Sequence, residues 1–567
     1  MLPRLRDAAR RGSRPRRRSA APRPDRPVAT ALAPTVPLRY DDVPRSFNVA
    51  TWFLDRNLEQ GREASPALVC GDRVHTYSDV AAATNRIGNV LLELGVRREE
   101  RVVLALSDGL EFVAAWYAVL KIGAVVAEVY TFLQPKDYAY YLGYCGAGVV
   151  LVDGTTREKV AAVAGACPLL RHRVVVGEPE GLDTGEWSLD ELAEAADGQL
   201  EAADTTKDDL AIWKFTTGST GAPKAAVHMQ HDPLVSFHNY ALGVVGYRPG
   251  DVVLPVPKLF FGYARDATTL FTFGVGATGI VFPERSTPER LFELVNRHRP
   301  TLMVQVPTMM SEMANHPTAL AHDLSCLRAC ISSGEALPEQ VHRKWKAAFG
   351  VEVLEGIGSS EAYHIYISNR FGAQRMGSAG TLVPGYEARL VDGDGEDVAA
   401  GTPGELWVSG ESTALCYWND HASSKQTFSG DWVRTGDVFE QDADGYFFYR
   451  GRADDLLKVG GIWLAPLEVE SCLLEHDAVV ECAVVAYEEG GLQLPRAFVV
   501  VRGAPRAGLA EELERHVRTR LSPHKYPRDV RFVESLPRTS SGKLDRRALP
   551  GDEPTTELER DAAWRTS

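Results

Sequence analysis

The stretch Phe215-Thr216-Thr217-Gly218-Ser219-Thr220-Gly221-Ala222-Pro223-Lys224 sets four hydroxyls, two glycines and a lysine directly behind an apolar run, residues 210–215. Such groups suit an anion: amides, hydroxyls and an ammonium can together surround phosphates, and glycine lets the backbone come close. It is not a Walker A loop, because Ala225 follows Lys224 where that motif needs Ser or Thr. Other polar residues carry chemistry only in company. Asp437, in Thr435-Gly436-Asp437, is by itself a turn aspartate, and Lys543, in Thr539-Ser540-Ser541-Gly542-Lys543, is by itself a solvated charge. His364, taken alone, reads as a satisfied core histidine on a helix face.

Positioning such groups takes a large scaffold. A chain of 567 residues is too long for one compact core, so two or more domains are expected. Runs such as 101–106, 149–152 and 302–306 are apolar and β-branched, and they alternate with helical patterns such as 111–121. That alternation predicts an α/β fold built on largely parallel sheets with helices on their faces. Between about 375 and 450 the texture changes to short strands with Gly-Asp turns, which predicts a β-rich subdomain. Beyond 451, helices near 467–475 and 508–521 flank strands near 479–487 and 496–502, the pattern of a small α+β domain.

Composition narrows the function classes. The chain carries 62 basic and 76 acidic side chains, and residues 1–28 hold ten of the arginines against only Asp7 and Asp25. The body is therefore distinctly acidic, which argues against capture of nucleic acid by charge. The basic start has no apolar core of a secretory signal and reads as a disordered arm, to which no function is assigned. The most apolar stretch, 114–130, contains Lys121, Gly123 and Glu128, so it reads as a buried helix running into a strand and not as a membrane span. Eight cysteines lie scattered without a CxxC pair, although Cys326 and Cys330 are spaced to meet on one helix face. They suit free thiols in a reducing, cytoplasmic setting.

Further motifs occur in collinear order: Ser333-Gly334-Glu335, Gly356-Ile357-Gly358-Ser359-Ser360-Glu361, Arg434-Thr435-Gly436-Asp437, Gly451-Arg452-Ala453-Asp454-Asp455, Lys458-Val459-Gly460-Gly461 and Pro537 to Lys543. With the phosphate-type loop, they make residues 40–550 resemble the adenylate-forming superfamily of acyl-CoA synthetases, luciferases and nonribosomal adenylation domains. Within it, Lys258-Leu259-Phe260-Phe261-Gly262-Tyr263 and 356–369 look like the benzoate–CoA ligase branch.

The resemblance implies a disordered extension (1–36), a large N-terminal domain (37–451), a hinge (452–455), a small mobile α+β lid domain (456–550) and a tail (551–567). It also implies roles. Thr216, Thr217, Gly218, Ser219, Thr220, Gly221 and Lys224 would handle the β- and γ-phosphates of ATP, and Glu361 would hold Mg2+. Gly334, Glu335, Gly356, Ser359 and Ser360 would complete the nucleotide site, with Ser360 at the α-phosphate. Asp437 would accept the ribose hydroxyls, with Arg452 beside it. Lys543 would bridge carboxylate and α-phosphate during adenylation, and Asp454 would be the hinge. Lys458, Gly460 and Gly461 would line the approach of a thiol, that of coenzyme A or of a carrier protein's phosphopantetheine. Intact Lys543, Asp454, Glu361 and Lys224 argue against a catalytically silent binding homologue.

For the acid, the branch implies a flat slot lined by Phe260, Phe261, Tyr263, Ser333, Gly358, Tyr363 and His364, with Gly358 leaving room for a ring. Where benzoate ligases tend to continue with Gly-Leu-Gly-Asn, this chain has Ala264-Arg265-Asp266-Ala267. A buried unpaired charge is costly, so Arg265 and Asp266 should pair with each other, with solvent or with the acid. A ring acid carrying a polar substituent is expected.

Overall fold

The computed structural model describes residues 36–177, 181–217, 222–453, 457–459, 462–489, 492–538 and 544–549. The arm read from residues 1–36 lies outside them except for Val36, and the tail 551–567 lies wholly outside.

The alternating segments build two mainly parallel sheets. In one, seven strands lie in the spatial order Glu186–Ser188, His172–Val175, Val149–Val152, Arg101–Ala105, Val125–Glu128, Leu210–Thr217 and Pro223–Met229. All neighbours are parallel except the last pair, a hairpin. Val149–Val152 is buried at every position, as a parallel strand covered on both faces must be. The apolar stretch reads as the sequence predicts: helix Leu110–Lys121, a turn at Gly123 with φ +74°, then strand Val125–Glu128. Lys121 is buried at the helix end because its ammonium reaches Asp55 and Asn85 at 2.9 and 2.8 Å.

The second sheet has nine strands, in the order Thr381–Leu382, Ile365–Ser368, Val353–Gly358, Ala329–Ser332, Leu302–Gln305, Val252–Pro255, Thr278–Val281, Pro66–Cys70 and Arg73–Thr76. The six from Val353–Gly358 to Pro66–Cys70 run parallel, and the outer strands are antiparallel. Ligands of such sheets bind beyond the carboxyl ends of the strands, which here means around Ser333 and the segment following Gly358.

The β-rich region is an antiparallel five-stranded sheet of Tyr386–Val391, Gly404–Gly410, Phe428–Ser429, Trp432–Gln441 and Phe447–Arg452. It encloses one short helix, His421–Thr427. Further on, strands Val479–Glu489, Leu492–Val501 and Asp529–Phe532 form a small sheet with helices Pro466–Leu474 and Leu509–Arg518. It has its own core, which includes Val469, Leu473, Val484, Val499, Leu513 and Val517.

Cys326 and Cys330 do not share a helix face. Cys330 lies in the buried strand Ala329–Ser332 and Cys326 in the turn before it, because the apolar run there pairs into the parallel sheet. All eight cysteines are free thiols. Among the described residues, Cys472, Glu475 and His516 bring donor atoms within 4.8 Å of one another. His516 Nε2, however, bonds the Cys472 carbonyl at 3.0 Å, and burial pushes the thiol up to about 11. No helix among the described residues is long and apolar enough to cross a membrane.

Candidate functional site

The hairpin of Leu210–Thr217 and Pro223–Met229 sets Thr216 opposite Lys224 and Thr217 opposite Pro223. Gly218, Ser219, Thr220 and Gly221 themselves lie outside the described residues. Lys224 Nζ donates to Ser423 Oγ at 2.6 Å and lies 3.7 Å from the Asp420 carboxylate. It also sits 5.4 Å from the Tyr417 ring, whose hydroxyl donates to Glu361 Oε1 at 2.6 Å. Burial pushes that phenol's pKa far up and the Glu361 charge adds to it, so the hydroxyl stays a donor. Lys224 and Glu361 thus meet across one tyrosine.

Ser360 joins the same place. Its Oγ donates to Phe215 O at 3.4 Å, and its carbonyl lies 2.6 Å from His228 Nε2. His228 Nδ1 is 2.6 Å from Asp232, and both side chains are fully buried. Ser359 Oγ accepts from Ala362 N at 3.3 Å. Gly356 is required by the sheet, since a Cβ there would lie 2.8 Å from Ile367 O. Gly334 has φ +94°, and Glu335 accepts from Thr308 N and Oγ1 at 3.3 and 2.8 Å, closing the start of helix Pro307–Asn315.

Asp437 and Arg452 face each other on adjacent strands, with Arg452 Nη1 donating to Asp437 Oδ1 at 3.1 Å and to Thr435 O at 2.9 Å. Gly436 has φ +69°, a backbone conformation that residues with a side chain rarely adopt, which explains glycine between the threonine and the aspartate.

Several residues expected to line an acid slot lie at the carboxyl ends of the parallel strands. Tyr263 donates to Gln305 O and Ile331 O at 3.2 and 3.1 Å, and buried Ser333 donates its amide to Gln305 O at 3.4 Å. His364 Nε2 bonds the Tyr263 carbonyl at 3.2 Å, while its buried Nδ1 has no hydrogen-bond partner among the described residues. Burial pushes this imidazole down to about 4, so it is neutral at ordinary pH. Phe260 and Phe261, 4.9 Å apart by ring centroid, cluster with Tyr130 and Phe132.

His364 is not on a helix. It follows Tyr363, which has φ +72°, in the turn joining antiparallel strands Val353–Gly358 and Ile365–Ser368. A Cβ on Gly358 would lie 2.4 Å from His364 O, so the close approach of this turn demands glycine there. Arg265 is wholly engaged inside the protein. Its guanidinium donates to Asp266 Oδ1 at 3.0 and 2.8 Å, pairs with Glu128 and lies 4.7 Å over the Trp116 ring. Asp454, Gly460, Gly461 and Lys543 lie outside the described residues, and Lys458 is placed through the backbone of strand Leu457–Val459.

The family model described as AMP-binding enzyme matches residues 54–418, and that of the AMP-binding enzyme C-terminal domain matches 468–543. The chain belongs to the adenylate-forming AMP-binding enzymes. It is 41% identical over 509 residues to a benzoate–CoA ligase of Thauera aromatica, covering 89% of this chain and 96% of that one. It is 38% identical to a 4-hydroxybenzoate–CoA/benzoate–CoA ligase of Rhodopseudomonas palustris, covering 89% and 94%. Its structure matches that of the anthranilate CoA ligase AuaEII in complex with anthranoyl-AMP, with a TM-score of 0.86, 37% identity, and 89% and 97% coverage. The benzoate-ligase branch expected from the sequence is therefore borne out.

Within this AMP-binding enzyme, sequence reasoning missed Tyr417, His228, Asp232 and Lys214. Lys214 had a legible signal, a charge in an otherwise apolar strand, and His228 and Asp232 stand four residues apart. Tyr417 had none, because only folding brings it to Glu361.

Proposed function

We propose that this enzyme activates a benzoate-like ring acid with ATP and transfers the acyl group to coenzyme A. The carboxylate attacks the α-phosphorus, pyrophosphate leaves, and a thiol then attacks the mixed anhydride to give the thioester and AMP. Both first reactants are anions, so the site's task is to offset repulsion and hold them in line. Thr216, Thr217, Ser219, Thr220 and Lys224 take the outer phosphates in this reading, Ser360 the α-phosphate and Asp437 the ribose. Glu361 and the loop hydroxyls are hard oxygen donors that fit Mg2+, which when bound supplies charge neutralisation. Lys543 serves adenylation, and Asp454 is the hinge of a lid domain that later brings Lys458, Gly460 and Gly461 to the thiol. Eight free thiols fit a reducing compartment, and the cytoplasm is the location proposed.

The convergence of Lys224, Tyr417 and Glu361 beside Ser360 carries the reading. A panel of benzoate, hydroxybenzoates, aminobenzoates, cinnamates and medium-chain fatty acids tests it by pyrophosphate release and by thioester formation with CoA. Ring acids should lead; best activity on a fatty acid would refute it.

A further inference from the structure

Lys214 lies in strand Leu210–Thr217 with its ammonium buried, and among the described residues its hydrogen bonds go to Asp266 and Tyr363. Nζ donates to Asp266 Oδ2 and to Tyr363 O, both at 2.5 Å, and stands 3.5 Å over the centroid of the Tyr363 ring. Asp266 Oδ1 accepts the Tyr363 hydroxyl at 3.3 Å and the Arg265 guanidinium, which continues to Glu128. Two cations and two carboxylates thus form one closed chain, and burial is tolerated because the charges are paired. Gly262 leaves the space: a Cβ there would meet Lys214 Cε and Nζ at 3.0 Å.

What this chain grips is a strained turn. Tyr363 has φ +72°, and His364 N donates to Ala362 O at 3.0 Å, the two-residue closure of a γ-turn with positive φ. For a bulky residue that conformation persists only where the surroundings over-determine it. Around Tyr363 they do: Lys214 holds the carbonyl and one ring face, Asp266 the hydroxyl, and His228 packs edge-on at 5.1 Å. The next residue is His364, whose ring bonds the Tyr263 carbonyl.

We propose that the buried Lys214–Asp266 ion pair is a strut that holds the Tyr363–His364 turn in its left-handed conformation and thereby sets the acid slot. Both are positioning residues, selecting the acid through Tyr363 and His364 without touching it. This rests on the reading of those two residues as slot walls.

Lys214→Met alone leaves two buried carboxylates to share one guanidinium and invites misfolding, so the neutral pair Lys214→Met/Asp266→Asn is the main variant, with Arg265 and Glu128 left to each other. In steady-state assays with benzoate, 4-hydroxybenzoate and 2-aminobenzoate, the KM for the acid should rise about tenfold while that for ATP stays within about twofold. The spread of kcat/KM among the three acids should also shrink. Unchanged acid KM and spread in a folded double variant would overturn the strut alone. Acid and ATP KM rising together would also overturn it, because that is general damage. The control is His364→Ala: if it leaves acid KM and spread untouched, the slot reading fails and the strut with it.

Discussion

Tyr417 and Glu361 are joined by a 2.6 Å hydrogen bond from phenol to carboxylate, although 56 residues separate them. A carboxylate that holds a cation works best with its orientation fixed by such a neighbour, and losing one typically weakens metal affinity tenfold or more. Tyr417→Phe should therefore shift the Mg2+ dependence of pyrophosphate exchange to concentrations about tenfold higher, with little change in the KM for the acid. An unshifted magnesium curve would show that the tyrosine does not orient a metal-holding Glu361.

Asp437 presents its carboxylate beside Arg452 on the neighbouring strand. If it accepts the ribose hydroxyls, the wild-type enzyme should strongly prefer ATP over 2′-deoxy-ATP, because a site built to bond a hydroxyl is left unpaired without it. Asp437→Ala should raise the KM for ATP and erase most of that preference. A variant that keeps the full preference would show that Asp437 only braces Arg452.

The parts of the fold that follow from local pattern were legible in the sequence. Val149–Val152 and helix Leu110–Lys121 are buried runs whose length and periodicity decide their type, and both lie where they are expected. The apolar run 210–215 was legible as a strand, and it lies within strand Leu210–Thr217. What was not legible depends on a few backbone angles or on distant partners. His364 reads as helical from its neighbours, yet Tyr363 at φ +72° turns the chain between two antiparallel strands. Arg265 and Asp266 stood out as charges, but they lie on a helical segment and their partners Glu128 and Lys214 come from two strands of the seven-stranded sheet.

Two buried groups should tilt stability with pH in opposite directions. Burial holds His364 down to about 4 against its ordinary 6.5, so between these values the unfolded chain binds a proton that the folded chain refuses. Stability is therefore lost as pH falls through that window, by an amount of order 3 kcal/mol. Burial pushes Glu355 up to about 8 from 4.5, so the unfolded chain ionises first and stability is lost as pH rises between them. Urea unfolding across pH 4 to 8, a range set by about these two shifted values, should show a flatter acid limb for His364→Phe and a flatter alkaline limb for Glu355→Gln. Parallel limbs in variant and wild type would assign the pH dependence to other groups.

The two half-reactions should separate genetically. In the proposed cycle Lys543 contacts the acid and α-phosphate only while negative charge builds during adenylation. Lys543→Ala should therefore lower pyrophosphate exchange by about two to three orders of magnitude. It should spare thioester formation from supplied benzoyl-adenylate, where that charge has already been relieved. Asp454→Pro acts in the reverse sense. Proline fixes φ near −65° and removes an amide donor, so a hinge that must change its backbone angles between steps would be held in one state. Adenylation should survive and transfer to CoA should fail. Equal loss of both steps in Lys543→Ala would show that the lysine is not confined to the first. Full overall turnover in Asp454→Pro would show that the lid turns elsewhere or does not turn at all.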